Sequence, residues 1–527
     1  MKLKPPNIYL FFFLISACAL LLEASNNGDG GFKQEEEEEE DPHIKRSDFP
    51  PGFLFGTATS AYQIEGAYLE DAKSLSNWDV FCHSVALYDE LISTSTDNLS
   101  TGIEDIEMMH SLGVKAYRFS ISWARILPKG RFGEVNPAGI LFYNKLIDNL
   151  ILRGIEPFVT LFHNNIPQEL EERYGSWLNP EMKEDFVHMV EVCFKSFGER
   201  VKYWITINEP NIVALYAYEM GLFRPSRCSE PFGNCIAGNS DVEPLVGMHN
   251  MLLAHGMAAK LYRDKGSIGI TVHSFMFEPL TDSELDRDAV KRAPLDPVIF
   301  GDYPEEMRKY LGSELPSFSL DEKNLVKNSI DFIGINHYST VYAKDCTSSS
   351  CSATADRAIQ GFVELVGERD GVLIGEPTMV DGLYVVPRGM EGIVNHIKIR
   401  YNNKPMFITE NGYNSPDVQE QRINELVNDV KRVGYHTSYL AFLAKSIRGG
   451  ADVRGYFVWS LMDNYEWLHG YKVRFGLYHV DRKTLTRTPK LSAKWYKDFL
   501  TNKSDLIGKE ASRDKISFQK DVMMPDS

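Results

Sequence analysis

The chain has 527 residues, 43% hydrophobic and 12% aromatic, enough for a core in one large α/β domain or in two to three smaller ones. Its formal charge of -17 excludes a polyanion such as nucleic acid or an anionic membrane surface as the expected partner, and a neutral small molecule fits best.

At the amino end Lys2 and Lys4 precede an apolar run over 8–22, closed by the small residues Ala24 and Ser25. The run is shorter than the roughly 20 apolar residues that span a bilayer. Residues 1–25 therefore read as a signal peptide, and the chain as secreted, with no membrane attachment after cleavage. Residues 26–47 read as a disordered acidic linker, since the run Glu35 to Glu40 and Asp41 repel one another and bring no apolar surface. One domain is expected over 48–503, followed by a flexible tail over 504–527.

Within that domain, short apolar runs stand at 53–60 (FLFGTATS), 116–122 (AYRFSIS), 157–163 (PFVTLFH), 202–208 (KYWITIN), 267–273 (SIGITVH), 331–338 (DFIGINHY), 405–411 (PMFITEN) and 453–459 (VRGYFVW). Their length and β-branched content mark them as strands. Longer amphipathic stretches separate them. From Glu181, for example, Phe186, Met189, Val190, Cys193, Phe194 and Phe197 recur at three- and four-residue spacing. Eight strands alternating with helices predict an α/β fold, a single (β/α)8 TIM barrel with its active site at the C-terminal ends of the strands. A doubly wound open sheet is the alternative, but no G-x-G-x-x-G follows the first strand.

Polar or aromatic groups stand at those strand ends: Gln63 shortly after the first, Arg118 on the second, His163 after the third, and Asn208 and Glu209 after the fourth. Asn336 and Tyr338 follow the sixth, Glu410 the seventh and Trp459 the eighth. Of the seven cysteines, Cys18 lies in the signal. Cys228 and Cys235 bracket one short loop and Cys346 and Cys351 another, which suits two disulfides in an oxidising compartment. Cys82 and Cys193, in apolar contexts, read as buried thiols. No histidine or cysteine cluster has metal-ligand spacing, so neither metal nor organic cofactor is expected. Asn98 and Asn502 match the glycosylation acceptor pattern.

Two glutamates at strand ends suggest a reaction. Cleaving a glycosidic bond takes an acid to protonate the leaving oxygen and a second carboxylate facing the oxocarbenium-like centre. At a carboxyl separation of about 5 to 5.5 Å the second attacks directly and configuration is retained. One carboxyl must stay ionised, helped by Arg118 and Tyr338, and the other must hold a proton; position alone does not say which is which. Singly, each residue has an ordinary reading: a Glu before Asn-Gly is usually a turn residue, and Glu466 between aromatics can simply cap a helix. Amides, a histidine, glutamates and a tryptophan together offer the hydrogen-bonding edges and flat apolar face that a neutral polyhydroxylated ring needs.

The motifs FLFGTATSAYQIEGA, AYRFSISWARILP, TINEPN, ITENGY and YFVWSLMDNYEW, in this order over most of 49–500, resemble the plant β-glucosidases of glycoside hydrolase family 1. The resemblance implies Glu209 as general acid/base and Glu410 as nucleophile. It implies Gln63, His163, Asn208, Glu466 and Trp467 on the glucose hydroxyls, Trp459 beneath the ring, and Arg118, Asn336 and Tyr338 around Glu410. Myrosinase-like members lack the acid/base Glu, so an O-glucosidase is expected here. Within the family, the Ile-Pro-Gln-Glu-Leu run after His163 and the loop at 346–351 look most similar to the coniferin and monolignol β-glucosidases. A transglucosidase on the same site, or a catalytically impaired sugar-binding member, is the alternative.

The chain departs from the family pattern in three places. Asn164 and Asn165 replace the usual Trp-Asp, and Gly382 replaces a tryptophan of the aglycone wall. The segment 94–109 lacks the aromatic residues expected there, which predicts a first helix short of anchors.

Overall fold

In a computed structural model, the described residues are 44–66, 68–84, 102–263, 265–291, 296–327, 329–355, 361–416 and 422–501. Both glycosylation sequons, the signal region and the tail lie outside them.

Eight parallel strands close into a barrel: β1 (Leu54–Ala58), β2 (Ala116–Ser120), β3 (Glu156–Phe162), β4 (Tyr203–Asn208), β5 (Ser267–His273), β6 (Phe332–Asn336), β7 (Met406–Asn411) and β8 (Val453–Trp459). Each pairs with its neighbours in sequence, and β1 pairs β8 from Leu54 against Gly455 to Ala58 against Trp459. The strands are nearly continuous apolar runs because both faces are covered, one by the barrel interior and the other by helices.

The interior is filled by Phe158, Phe332, Phe407 and Phe457, with ring centroids 5.0 to 5.4 Å from Phe158, and by Tyr203 stacked on Phe158 at 5.0 Å. Gly56 on β1 makes room for them: a Cβ there would stand 2.6 Å from the Phe457 ring. Each phenylalanine is worth about 3 to 5 kcal/mol against alanine in such a site, so this aromatic plug is a firm floor beneath the strand ends.

Outside, the helix α2 (Glu181–Phe197) buries Met182, Phe186, Met189, Val190, Cys193 and Phe197 against the barrel, with Phe194 half-buried at its edge. The helix expected to lack anchors, α1 (Gly102–Leu112), does form. It buries Ile106, Met109 and Leu112, and Arg487 holds its Asp105 at 3.0 Å. Positions 94–101, where most of the missing aromatic residues would stand, lie outside the described residues. Cys228–Cys235 and Cys346–Cys351 are disulfides, and Cys82 and Cys193 are buried thiols. Among the described residues no helix is long and apolar enough to cross a membrane.

A three-stranded sheet of Met276–Pro279, Thr340–Asp345 and Val363–Val366 lies outside the barrel, and none of its strands is among the eight expected runs.

Candidate active site

The ladders slip where the carboxylates begin. Pairing of β4 with β5 is irregular between Ile205 and Asn208, and pairing of β7 with β6 between Ile408 and Glu410. A slip of this kind re-aims the side chain that follows it. Glu209 takes a left-handed backbone, φ 48° and ψ 57°, at a cost on the order of 1 kcal/mol or more. Its N–H donates to the Thr271 carbonyl at 2.8 Å, and Pro210, with no N–H to offer, opens the helical turn Pro210–Val213.

Glu410 is 4% exposed. Its Oε1 forms an ion pair with the Arg118 guanidinium, and its Oε2 accepts from the Tyr338 hydroxyl at 2.6 Å. Arg118, fully buried, also donates to Asn208 Oδ1 at 2.6 Å. Asn336 Nδ2 donates to Asn208 Oδ1 at 3.1 Å and to Glu209 Oε1 at 2.8 Å, while Asn336 Oδ1 accepts from Thr409 at 2.7 Å. One amide therefore ties β7 to Glu209.

The remaining expected residues join this network. Asn208 Nδ2 lies 3.2 Å from His163 Nε2, and the His163 ring stacks on Trp459 (6.0 Å) and Trp467 (5.9 Å). Gln63 donates to the Tyr465 carbonyl at 2.8 Å, to Asn464 at 3.2 Å and to Glu466 at 3.4 Å. Glu466 in turn is hydrogen-bonded to Trp459. Glu466 precedes the turn Trp467–His469 but does not cap it with its side chain, which disposes of its ordinary reading. Every candidate named from the strand ends is brought into one connected group. The carbonyl oxygen of Asn208 is engaged by Arg118 and Asn336.

The departures also have places. Asn164 and Asn165 are buried beside this group, with Asn164 left-handed at φ 62°. Gly382 is left-handed too, at φ 80°, and a Cβ on it would meet nothing within 4 Å. It stands in an open turn.

One residue was passed over. His273 ends β5, the strand end for which no polar group had been named, and its Nδ1 lies 3.3 Å from Glu209 Oε1. The run SIGITVH carries the signal, a polar residue closing an apolar strand.

Burial raises both carboxyls and is the largest influence on each. At Glu209 it is outweighed by His273 and Asn336, which hold that carboxyl below its ordinary value. At Glu410 burial, together with the Glu209 charge, outweighs Arg118 and Tyr338 and raises it. The two influences differ in permanence. Arg118 is always a cation, whereas His273 pulls by charge only when protonated. With His273 neutral, a guanidinium and a phenol face Glu410 against one amide and one imidazole at Glu209, and the negative charge belongs on Glu410. Burial, helped by the Glu410 charge, raises Glu466 to about 8. Burial, then Arg118, holds His163 well below the usual imidazole value, so it is neutral.

The profile of Glycosyl hydrolase family 1 matches residues 45–505. The chain belongs to that family. Its fold and family make it a glycoside hydrolase, in a family of retaining O-glycoside hydrolases. It is 52% identical over 474 residues to "Probable inactive beta-glucosidase 14" of Oryza sativa subsp. japonica, covering 87% of this chain and 92% of that protein. It is 48% identical over 476 residues to "Coniferin beta-glucosidase" of Pinus contorta, covering 87% and 93%. Among solved structures, a rice β-glucosidase, Os3BGlu6, captured as a mutant in a covalent complex with glucose, superposes with a TM-score of 0.83 at 44% identity, covering 86% of this chain and 99% of that one.

Proposed function

We propose that this family 1 chain is a secreted β-glucosidase that releases terminal β-D-glucose from aryl glucosides through a covalent glucosyl-enzyme, with Glu410 as nucleophile and Glu209 as acid/base. The observation that carries the assignment is the contact set of Glu410: Arg118 on one oxygen and Tyr338 on the other. A buried cation beside one carboxylate of a pair keeps that one ionised.

In the first step Glu410 attacks the anomeric carbon while Glu209 gives its proton to the departing glycosidic oxygen. In the second, Glu209 takes a proton from water as that water attacks the same carbon and expels Glu410. Two inversions retain the configuration. The neutral His163 imidazole, with Nδ1 unpartnered among the described residues, and the Gln63 and Glu466 side chains offer hydrogen bonds to sugar hydroxyls, and Trp459 offers a flat face. An acceptor alcohol in place of water would make the same site a transglucosidase.

Similarity to the pine coniferin β-glucosidase supports a phenylpropanoid aglycone such as that of coniferin. The apolar run at 8–22 and the two disulfides support export. A second reading, a catalytically impaired member, is favoured by 52% identity to the rice protein named as probably inactive. Against it stand both carboxylates with their hydrogen-bonded surroundings complete.

Hydrolysis of an aryl β-glucoside beside coniferin, with the first anomer identified by proton NMR, tests the proposal. Release with β-glucose appearing first is expected. No release from folded protein would favour the second reading.

A further inference from the structure

His273 is held from several directions. Its backbone N–H donates to the Asn211 amide oxygen at 3.3 Å, and its carbonyl accepts from Asn211 Nδ2 at 3.0 Å, which locks the end of β5 to the turn that follows Glu209. Its ring lies nearly parallel to Tyr338, 6.0 Å away and tilted 15°, and meets Phe275 edge-on at 4.7 Å. The side chain is 12% exposed, and that of Glu209 is 13% exposed.

The oxygen it approaches decides the argument. Glu209 Oε1 already accepts from Asn336 Nδ2 at 2.8 Å, and His273 Nδ1 reaches the same atom at 3.3 Å. Two donors on one carboxyl oxygen leave the other oxygen as the place for a proton. Nearby, Arg118 comes from β2, Tyr216 follows Glu209, His337 and Tyr338 follow β6, and Glu410 comes from β7. Glu466 also acts on Glu209. His273 also lines a cavity of about 560 Å³, whose walls include Asp288, Lys291, Glu306, His396 and Arg400. Among the described residues, the hydrogen bond from the His273 ring goes to Glu209.

We propose that His273 is a positioning residue for the acid/base: by donating Nδ1–H to Oε1 of Glu209 together with Asn336, it confines the transferable proton to Oε2 and stabilises the carboxylate that must later activate water. This rests on the role given to Glu209 above. In the first step Oε2 carries the proton and passes it to the glycosidic oxygen. In the second Oε2 takes the proton back from water. The donors on Oε1 remain in place through both steps, so the imidazole need not change tautomer.

His273→Phe keeps a ring against Tyr338 and removes the donor, whereas His273→Gln keeps an N–H donor. In the pH profile of kcat/KM for an aryl β-glucoside, His273→Phe should move the basic limb, set by Glu209, upward by about one pH unit. The acidic limb, where Glu209 already holds its proton, should stay close to its original position. His273→Gln should restore the basic limb toward its original position. An unmoved basic limb in His273→Phe, or the same loss at every pH in both variants, would overturn the proposal.

The Glu209 carboxyl can also be titrated by carbon-13 NMR, assigned by difference from Glu209→Gln, without any turnover. An upward shift in His273→Phe supports the inference even if wild type hydrolyses no aryl glucoside, and an unchanged titration sinks it even if wild type is fully active.

Discussion

Glu410 and Glu209 end parallel strands that read alike in sequence, apolar and β-branched residues running into a carboxylate, yet their surroundings differ in kind. Glu410 is closed in, with a permanent cation on one oxygen and a phenol on the other. Glu209 sits on a left-handed turn, touched by an amide and an imidazole, groups that carry no fixed charge. The contrast is the one the proposed roles call for, since the role of a carboxylate is set by its neighbours: a fixed charge on Glu410 and a transferable proton on Glu209.

The strongest way to break that contrast is to remove the fixed charge. Glu410→Ala should lower turnover of an aryl β-glucoside by at least about 10⁴-fold while a glucoside still binds by calorimetry; unchanged turnover would end the mechanism. Next comes the mobile proton. Glu209→Gln should slow release of a poor leaving group by about 10² to 10⁴-fold and abolish the basic limb of its pH profile. Formation of the glucosyl-enzyme from a dinitrophenyl glucoside, which needs no acid, should be largely spared, so equal slowing of the two substrates in pre-steady-state measurements would contradict the assignment.

Tyr338→Phe sharpens the comparison by making the Glu410 site less unlike the other. Losing a charge-assisted hydrogen bond is worth about 1.5 to 3 kcal/mol, so kcat/KM should fall roughly 10 to 100-fold. The acidic limb should move up, because the lost donor favoured the Glu410 anion.

The smallest effect concerns stability. Glu466 is raised from the ordinary 4.5 to about 8, so between those values the folded protein keeps a proton that the unfolded chain has lost. Its stabilising contribution is full below the unfolded value and is lost as pH rises through about 8. Glu466→Gln cannot ionise. It should melt close to wild type near pH 4, but roughly 2 to 4 °C higher near pH 9, and equal melting at both would show that Glu466 is not held neutral.

The barrel was legible because each strand is buried on both faces: an uninterrupted apolar run survives in sequence, and all eight runs overlie the observed strands. The site residues were legible for a related reason, since a barrel sends its strand ends to one mouth. His273 was missed because its meaning lies in Glu209, 64 positions away and brought close only by barrel closure. The slip of β7 against β6 has no glycine or proline at the slipped positions to announce it. The Met276–Pro279 strand was hidden because its residues are only half-buried and follow β5 at once. The expectation of missing aromatic anchors falls largely on 94–101, outside the described residues, while the described helix α1 buries Ile106, Met109 and Leu112.

The phenylalanines packed inside the barrel have a further consequence for traffic. They turn the mouth into a blind well, where whatever enters must leave by the same door. Under the proposed mechanism the departing alcohol and the incoming water share one corridor and pass in turn, and a bulky alcohol that lingers is the acceptor that would take the sugar back.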